Sequence, residues 1–121
     1  VAGEEEEFLR ALAGGSELEI TVRGRRTGRL ITLPVWFVQR GGMVHLLPVS
    51  GSDTNWYRNI LKDPNMTLRA GRRSIEAVAE PEEDPGKVNE VIRLFKRKYG
   101  DREIDRWYTK LDIAVNIPLS T

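Results

Sequence analysis

The sequence predicts an α+β fold, a six-stranded antiparallel β-barrel with helices at its rim. Three observations predict it: alternating apolar and polar runs come in pairs joined by short glycine turns, the main helical stretches enter late, and no regular strand–helix–strand alternation appears. The chain has 121 residues, 40% of them hydrophobic. That suits one compact domain over residues 1–121, because a chain of this size buries roughly two thirds of its unfolded surface.

Phe8, Leu9 and Leu12 share one face of a short first helix, which the backbone freedom of Gly14-Gly15 ends. The acidic run Glu4 to Glu7 reads as its solvated start. In ELEITVR, Leu18, Ile20 and Val22 alternate with Glu17, Glu19, Thr21 and Arg23, the two-residue period of a strand with one wet face. After VRGRRTGR (22–29), the run LITLPVWFVQR (30–40) is apolar on both alternating sets. This predicts a single strand covered on both sides, in a barrel or at a subunit contact, with Pro34 marking a bulge or an edge. Gly41-Gly42 then turns the chain into MVHLLPV (43–49) as an antiparallel partner.

In SDTNWYRNILKDP (52–64) the period changes, since Trp56 with Ile60 and Tyr57 with Leu61 are four apart. A short helix follows, capped by Ser52 or Asp53 and ended before Pro64. MTLRAGRRSIEAVAE (66–80) is two alternating runs around a glycine turn, hence a second hairpin. Asp84-Pro85 opens a helix whose buried face carries Val88, Val91, Ile92, Phe95 and Tyr99, and Gly100 stops it. A further short helix runs from about Asp101 to Thr109, and DIAVNIPL (112–119) closes the chain as the sixth strand.

Composition removes several classes of function. Nineteen Lys and Arg face eighteen Asp and Glu, a net charge of +1, so no global field recommends nucleic acid, and no aromatic platform for bases is recognisable. Cysteine is absent and histidine occurs once, which excludes disulfides, thiolate chemistry and the common zinc sites. The acidic amino-terminal stretch lacks the basic and apolar blocks of a secretory signal. No apolar run approaches the roughly 18 residues of a membrane span. The sequence therefore predicts a cytoplasmic protein with no metal and no membrane or nucleic-acid partner.

Reactive side chains are few. His45 is the only possible imidazole base and no G-x-S-x-G nucleophile motif accompanies it; a structural role fits it better. No catalytic residue is assigned. A domain of this kind is an enzyme when a bound organic cofactor performs the chemistry and the protein supplies anchoring and electrostatics. Arg25, Arg26, Thr27 and Gly28 read either as a basic hairpin turn or as an anion cradle of guanidinium, hydroxyl and close backbone. Ser50, Gly51, Ser52 and Thr54 precede a helix whose free N–H groups attract anions. The sequence predicts that these two segments converge on one anionic tail. Trp56 and Tyr57 either wall an aromatic ring or pack in the core.

GRRTGRLITLPV (24–35) resembles the G-R-K-S-G-x-x-R-T-T-P-L segment of the deazaflavin-dependent nitroreductase family, within the flavin/deazaflavin oxidoreductase superfamily. PVSGSDTNWYRNILKDPNMTL (48–68) resembles that family's S-K-G-G…W-Y-x-N-L…N-P segment. The resemblance runs from about Leu18 to Glu80 and implies the split β-barrel of pyridoxamine 5′-phosphate oxidases. It implies anchoring of a cofactor phosphate by Arg25, Arg26, Thr27, Gly28 and Ser50, and bordering of the ring by Pro34, Trp56 and Asn59. Ile31 and Gly51 stand where the family carries cations, and Arg29, Arg58 and Arg72 are the candidates to restore that charge. The cofactor implied is the 8-hydroxy-5-deazaflavin coenzyme (coenzyme F-420), with FMN as the alternative. The implied activity is hydride transfer to a small quinone-like, nitro or conjugated acceptor by a homodimer. The rival function on the same barrel is a noncatalytic flavin, haem or lipid binding module.

Overall fold

The computed structural model describes residues 2–119. Eight strands and four α-helices follow in the order α1 (Ala2–Leu12), β1 (Leu18–Arg23), β2 (Leu30–Val35), β3 (Val38–Arg40), β4 (Met43–Leu46), α2 (Asn55–Lys62), β5 (Asn65–Ala70), β6 (Arg73–Val78), β7 (Glu80–Glu82), α3 (Pro85–Tyr99), α4 (Asp101–Trp107) and β8 (Ala114–Pro118). All named pairs are antiparallel. They form two four-stranded sheets, ordered β2-β1-β5-β6 and β3-β4-β8-β7.

The alternation in β1 has a direct cause. Leu18, Ile20 and Val22 point into a core shared with Met66 and Leu68 of β5, Val44 and Leu46 of β4, and Val115 and Ile117 of β8. The opposite face of this first sheet is polar, with Thr21 and Thr32 hydroxyls 2.8 Å apart across neighbouring strands. Phe8 and Leu12 of α1 and Trp56, Tyr57 and Ile60 of α2 complete the core. The second sheet loses the alternation because both its faces are covered. Val88, Val91 and Phe95 of α3 and Ile104 of α4 pack with Val38, Leu47 and Ala114 in a separate apolar cluster.

Both hairpins form as the glycines predict: Gly41 and Gly71 take positive φ, at 60° and 61°, which costs an L side chain roughly 1–2 kcal/mol. Asp84 caps α3 by accepting from the Lys87 N–H at 3.0 Å, with Pro85 at the first helical position. Helix α2 instead starts at Thr54, whose side chain does not cap it, so neither Ser52 nor Asp53 is its cap.

The predicted six strands are eight, and the difference lies at two corners. The run predicted as one strand over 30–40 breaks at Trp36-Phe37: β2 pairs with β1 in the first sheet and β3 with β4 in the second. At the corner, backbone partners come from α3. The Tyr99 hydroxyl accepts from the Phe37 N–H at 3.0 Å, and the Lys98 ammonium donates to the Phe37 carbonyl at 2.8 Å, so strand pairing is unnecessary there. The second corner is Ala79, after which the three residues of β7 join β8. Within one copy of the chain β2 is not covered on both sides. It is an edge strand, with Leu30 64% and Ile31 44% exposed, and Pro34, lacking an N–H, suits that edge.

His45 is buried between β3 and β8, with Nδ1 2.8 Å from Asn116 Oδ1. No helix among the described residues is long and apolar enough to cross a membrane.

Candidate functional site

The basic turn is closed by its own backbone. The Gly28 N–H donates to the Gly24 carbonyl at 2.9 Å and the Gly24 N–H to the Arg29 carbonyl at 2.7 Å. Arg23 Nη1 donates to the Gly28 carbonyl at 2.6 Å. Gly28 sits at φ 76°, which explains the glycine. The turn is then pinned on α2. Asn59 Oδ1 accepts from the Arg25 N–H at 3.0 Å and from Arg25 Nη1 at 2.8 Å, and Lys62 Nζ donates to the Arg25 carbonyl at 2.9 Å.

Arg25 thus acts mainly as a strut. Arg26 is exposed and its guanidinium has no partner among the described residues, nor do the backbone N–H groups of Arg26 and Thr27. A hollow of about 420 Å³ on one side of the turn is bordered by Arg26, Thr27, Lys62 and Asp63. Another of about 300 Å³ is bordered by Arg26, Ile31, Asn55 and Asn59. Free N–H groups, a hydroxyl and the Arg26 guanidinium in the turn, with Lys62 of α2 beside them, fit a phosphate-sized oxyanion.

Beside them lies an apolar cleft of about 380 Å³. Its floor is Leu33, Pro34 and Val35 of β2 with Thr54 and Trp56 at the start of α2. Ile31, Leu33 and Val35 share the two-residue period of β2, so this strand leads from the arginine hollow into the cleft. The far wall is aromatic: Trp36 stacks on Tyr99 with centroids 4.4 Å apart, and Tyr108 lies 6.1 Å from Trp36. Trp107 stands half exposed at the rim, tied by Nε1 to Glu103 at 3.0 Å.

The two tyrosines differ in what their hydroxyls do. Burial pushes the Tyr99 phenol up to about 12, and its hydroxyl stands 2.8 Å from the Ser16 carbonyl and 2.9 Å from that of Phe37, so it holds the corner. Burial pushes Tyr108 up as well, and its hydroxyl has no hydrogen-bond partner among the described residues. Tyr108 lines the cleft; it is there a protonated phenol, able to donate but not to act as a base.

The serine loop faces elsewhere. Asp112 accepts from the Ser52 N–H at 2.9 Å and from its hydroxyl at 2.6 Å. Burial would raise the Asp112 carboxyl, but the Ser52 bonds and Lys110 outweigh it and hold it below its ordinary value. The Ser50 N–H donates to Thr54 Oγ1 at 2.8 Å, and the Thr109 N–H to the Val49 carbonyl at 2.9 Å. The loop clamps the segment that follows Tyr108.

The structure therefore brings Arg25, Arg26, Thr27, Gly28 and Asn59 together, and Pro34 and Trp56 in the adjoining cleft. The predicted convergence is met in part: the arginine turn docks on Asn55 and Asn59 of α2, and Thr54 lines the adjoining cleft, while neither Ser50 nor Ser52 lines the hollows or the cleft. Of the proposed replacement cations, Arg58 pairs with Asp53 at 2.9 Å, Arg72 lies in the β5–β6 turn, and Arg29 ends the basic turn. Lys62, which sequence reasoning passed over, borders the hollow. The signal was its position one helical turn beyond Asn59.

A family model described as F420H(2)-dependent quinone reductase matches residues 3–118. No curated protein matches the sequence significantly. Among solved structures, an F420-H2 dependent reductase is 18% identical, with a TM-score of 0.67 over 84% of this chain and 93% of that one. A protein described as a domain-swapped dimer is 18% identical, with a TM-score of 0.66 over 96% and 97%. A pyridoxamine 5′-phosphate oxidase-like protein of Listeria innocua is 13% identical, with a TM-score of 0.70 over 97% and 94%. At these identities the structural matches establish the split-barrel fold.

Proposed function

The chain belongs to the F420H(2)-dependent quinone reductase family, an oxidoreductase family whose cofactor is the deazaflavin coenzyme; from that membership we propose that residues 1–121 form a single domain that reduces a small quinone-like, nitro or conjugated acceptor. The coenzyme, when bound in reduced form, supplies hydride. The observation carrying the proposal is one strand, β2, joining a turn with an exposed guanidinium and unpartnered N–H groups to an apolar cleft lined by Trp36, Trp56 and Tyr108.

In this reading Arg26, Thr27, Gly28 and Lys62 hold the anionic tail by charge-assisted bonds. Arg25 and Asn59 fix the turn in place, while Pro34 and Trp56 border the ring. The cleft excludes water from the reacting atoms and aligns the acceptor. Tyr108, held protonated, donates a hydrogen bond to oxygen that gains negative charge during reduction. Ser50 and Ser52 support the site from behind by anchoring the segment after Tyr108. The exposed apolar edge of β2, at Leu30 and Ile31, is the surface through which a second copy pairs to form a homodimer, and light scattering that gives a monomeric mass would remove that part.

Titration of the purified protein with the oxidised deazaflavin coenzyme and with FMN, followed by turnover of a model quinone with the reduced coenzyme, tests the function. Binding of the deazaflavin coenzyme and quinone reduction are expected. Coenzyme binding with no reduction of quinone, nitro or conjugated acceptors would instead make the chain a binding module.

A further inference from the structure

Among the described residues Glu17 is the one carboxylate bordering the aromatic cleft, and no lysine or arginine borders it. It lies on the approach to β1, beside Trp36, Tyr108 and Trp107 in the same lining, and close enough to Tyr99 to raise that phenol. Glu17 forms no ion pair among the described residues. The cations nearby stand on aromatic rings: Lys98 Nζ is 3.6 Å from the Phe37 centroid and the Arg106 guanidinium 5.1 Å from that of Trp107. A second carboxylate, Glu103, holds the Trp107 indole.

The groove is therefore electrically polar. Arginines border the end that suits an oxyanion, and aromatic side chains plus one carboxylate without an ion pair among the described residues border the other. Ring faces and a carboxylate together attract organic cations, through the ring quadrupole and through ordinary charge complementarity.

We propose that the cleft selects cationic aromatic acceptors, in which the electron-poor carbon belongs to a positively charged conjugated system, and that Glu17 is a specificity-determining residue for them. The proposal rests on the oxidoreductase reading above. The acceptor takes up hydride without a proton: the incoming electron pair forms the new C–H bond, the conjugated π-bond shifts onto the charged centre and a neutral product leaves, while the proton left on the oxidised coenzyme would pass to water.

Charge complementarity also fixes how Glu17 acts. The acceptor's positive charge is largest before the reaction and falls on the way to product, so Glu17 holds the ground state at least as well as the transition state. Its removal should raise KM for a cation and leave kcat unchanged or higher. For a neutral quinone, which gains negative charge, the same removal should not raise KM. A merely structural role for Glu17 would not split the two acceptors in this way.

Binding alone tests the preference, with 1-methylquinolinium as the cation and 1-methylnaphthalene as its neutral isostere, each titrated calorimetrically against the protein with and without oxidised coenzyme. The cation should bind about tenfold more tightly, the advantage should vanish in Glu17→Gln, and Glu17→Lys should favour the anion 1-naphthoate. Equal binding of cation and isostere by the native protein, or an advantage that survives in Glu17→Gln, would overturn the proposal. Failure of the coenzyme to bind would sink the oxidoreductase reading while leaving the probe preference measurable on its own.

Discussion

One oxygen of Asn59 joins the basic turn to helix α2: its Oδ1 accepts from both the backbone N–H and the guanidinium of Arg25, at 3.0 and 2.8 Å. Asn59 is 3% exposed, and the two Arg25 donors it serves are partly buried. Asn59→Ala should lower unfolding free energy by about 1 kcal/mol or more, since both donors lose their acceptor, read by urea denaturation. Coenzyme affinity should fall with it, because the turn loses its seat. An Asn59→Ala protein as stable as the native one would show that the turn does not depend on this contact.

Arg25 and Arg26 are neighbours with different work, and single substitutions should separate them. Arg26→Ala removes an exposed cation with no protein partner, so stability should stay within about 0.5 kcal/mol of the native value. Coenzyme affinity should drop by roughly 10- to 100-fold, the equivalent of one charge-assisted bond. Arg25→Ala should lower both. Calorimetric titration beside thermal melts distinguishes these outcomes, and unchanged affinity in Arg26→Ala would remove this arginine from the anion site.

Gly51 is where the serine loop meets the segment leading into β8. It adopts φ 56°, and a Cβ there would lie 2.0 Å from Asp112 Oδ1 and 2.9 Å from the Lys110 carbonyl. Gly51→Ala therefore combines backbone strain with a collision against main chain, and should destabilise the fold by at least about 2 kcal/mol. Gly28→Ala, with a similar φ but open space around it, should cost only the strain of about 1–2 kcal/mol. Chemical denaturation of the pair gives the comparison; equal losses would mean the contact with Asp112 yields without cost.

Much of the fold was legible because its determinants are local. Period two in β1, glycines at Gly41 and Gly71, and the Asp84-Pro85 start of α3 act within a few residues, and the structure follows each. The corner at Trp36-Phe37 was not legible, since what ends the strand there is a tyrosine hydroxyl and a lysine more than sixty positions later, Tyr99 and Lys98. The same holds for the site. The basic turn announces itself through residue type, but which arginine is free depends on Asn59, and of the loop serines Ser52 is claimed by Asp112, sixty residues beyond it, and Ser50 by Thr54 and Thr109. Tertiary partners decide whether a polar group is available to a ligand, and sequence spacing does not record them.

His45 makes stability depend on pH in a defined window. The residue is 3% exposed, with Nδ1 on Asn116 and Nε2 buried without a partner among the described residues. Burial lowers its pKa from 6.5 despite the Asn116 bond and Glu90, which favour the charged form, with Arg40 adding to the lowering. Below about pH 6.5 the unfolded chain therefore takes up a proton that the folded chain refuses. In that interval the unfolded state binds more protons, so unfolding free energy rises with pH. Stability is complete above the ordinary histidine value and falls as pH drops toward the depressed folded value, with a slope of at most about 1.4 kcal/mol per pH unit. His45 is the only histidine, so no other side chain with an ordinary pKa titrates in the same interval. Urea denaturation at about pH 7.5 and pH 5 should show this loss in the native protein, and His45→Gln should flatten it. Asp112, held below its ordinary 3.8, acts only in stronger acid. A native protein equally stable at both pH values would mean that protonated His45 finds an acceptor for its Nε2 proton.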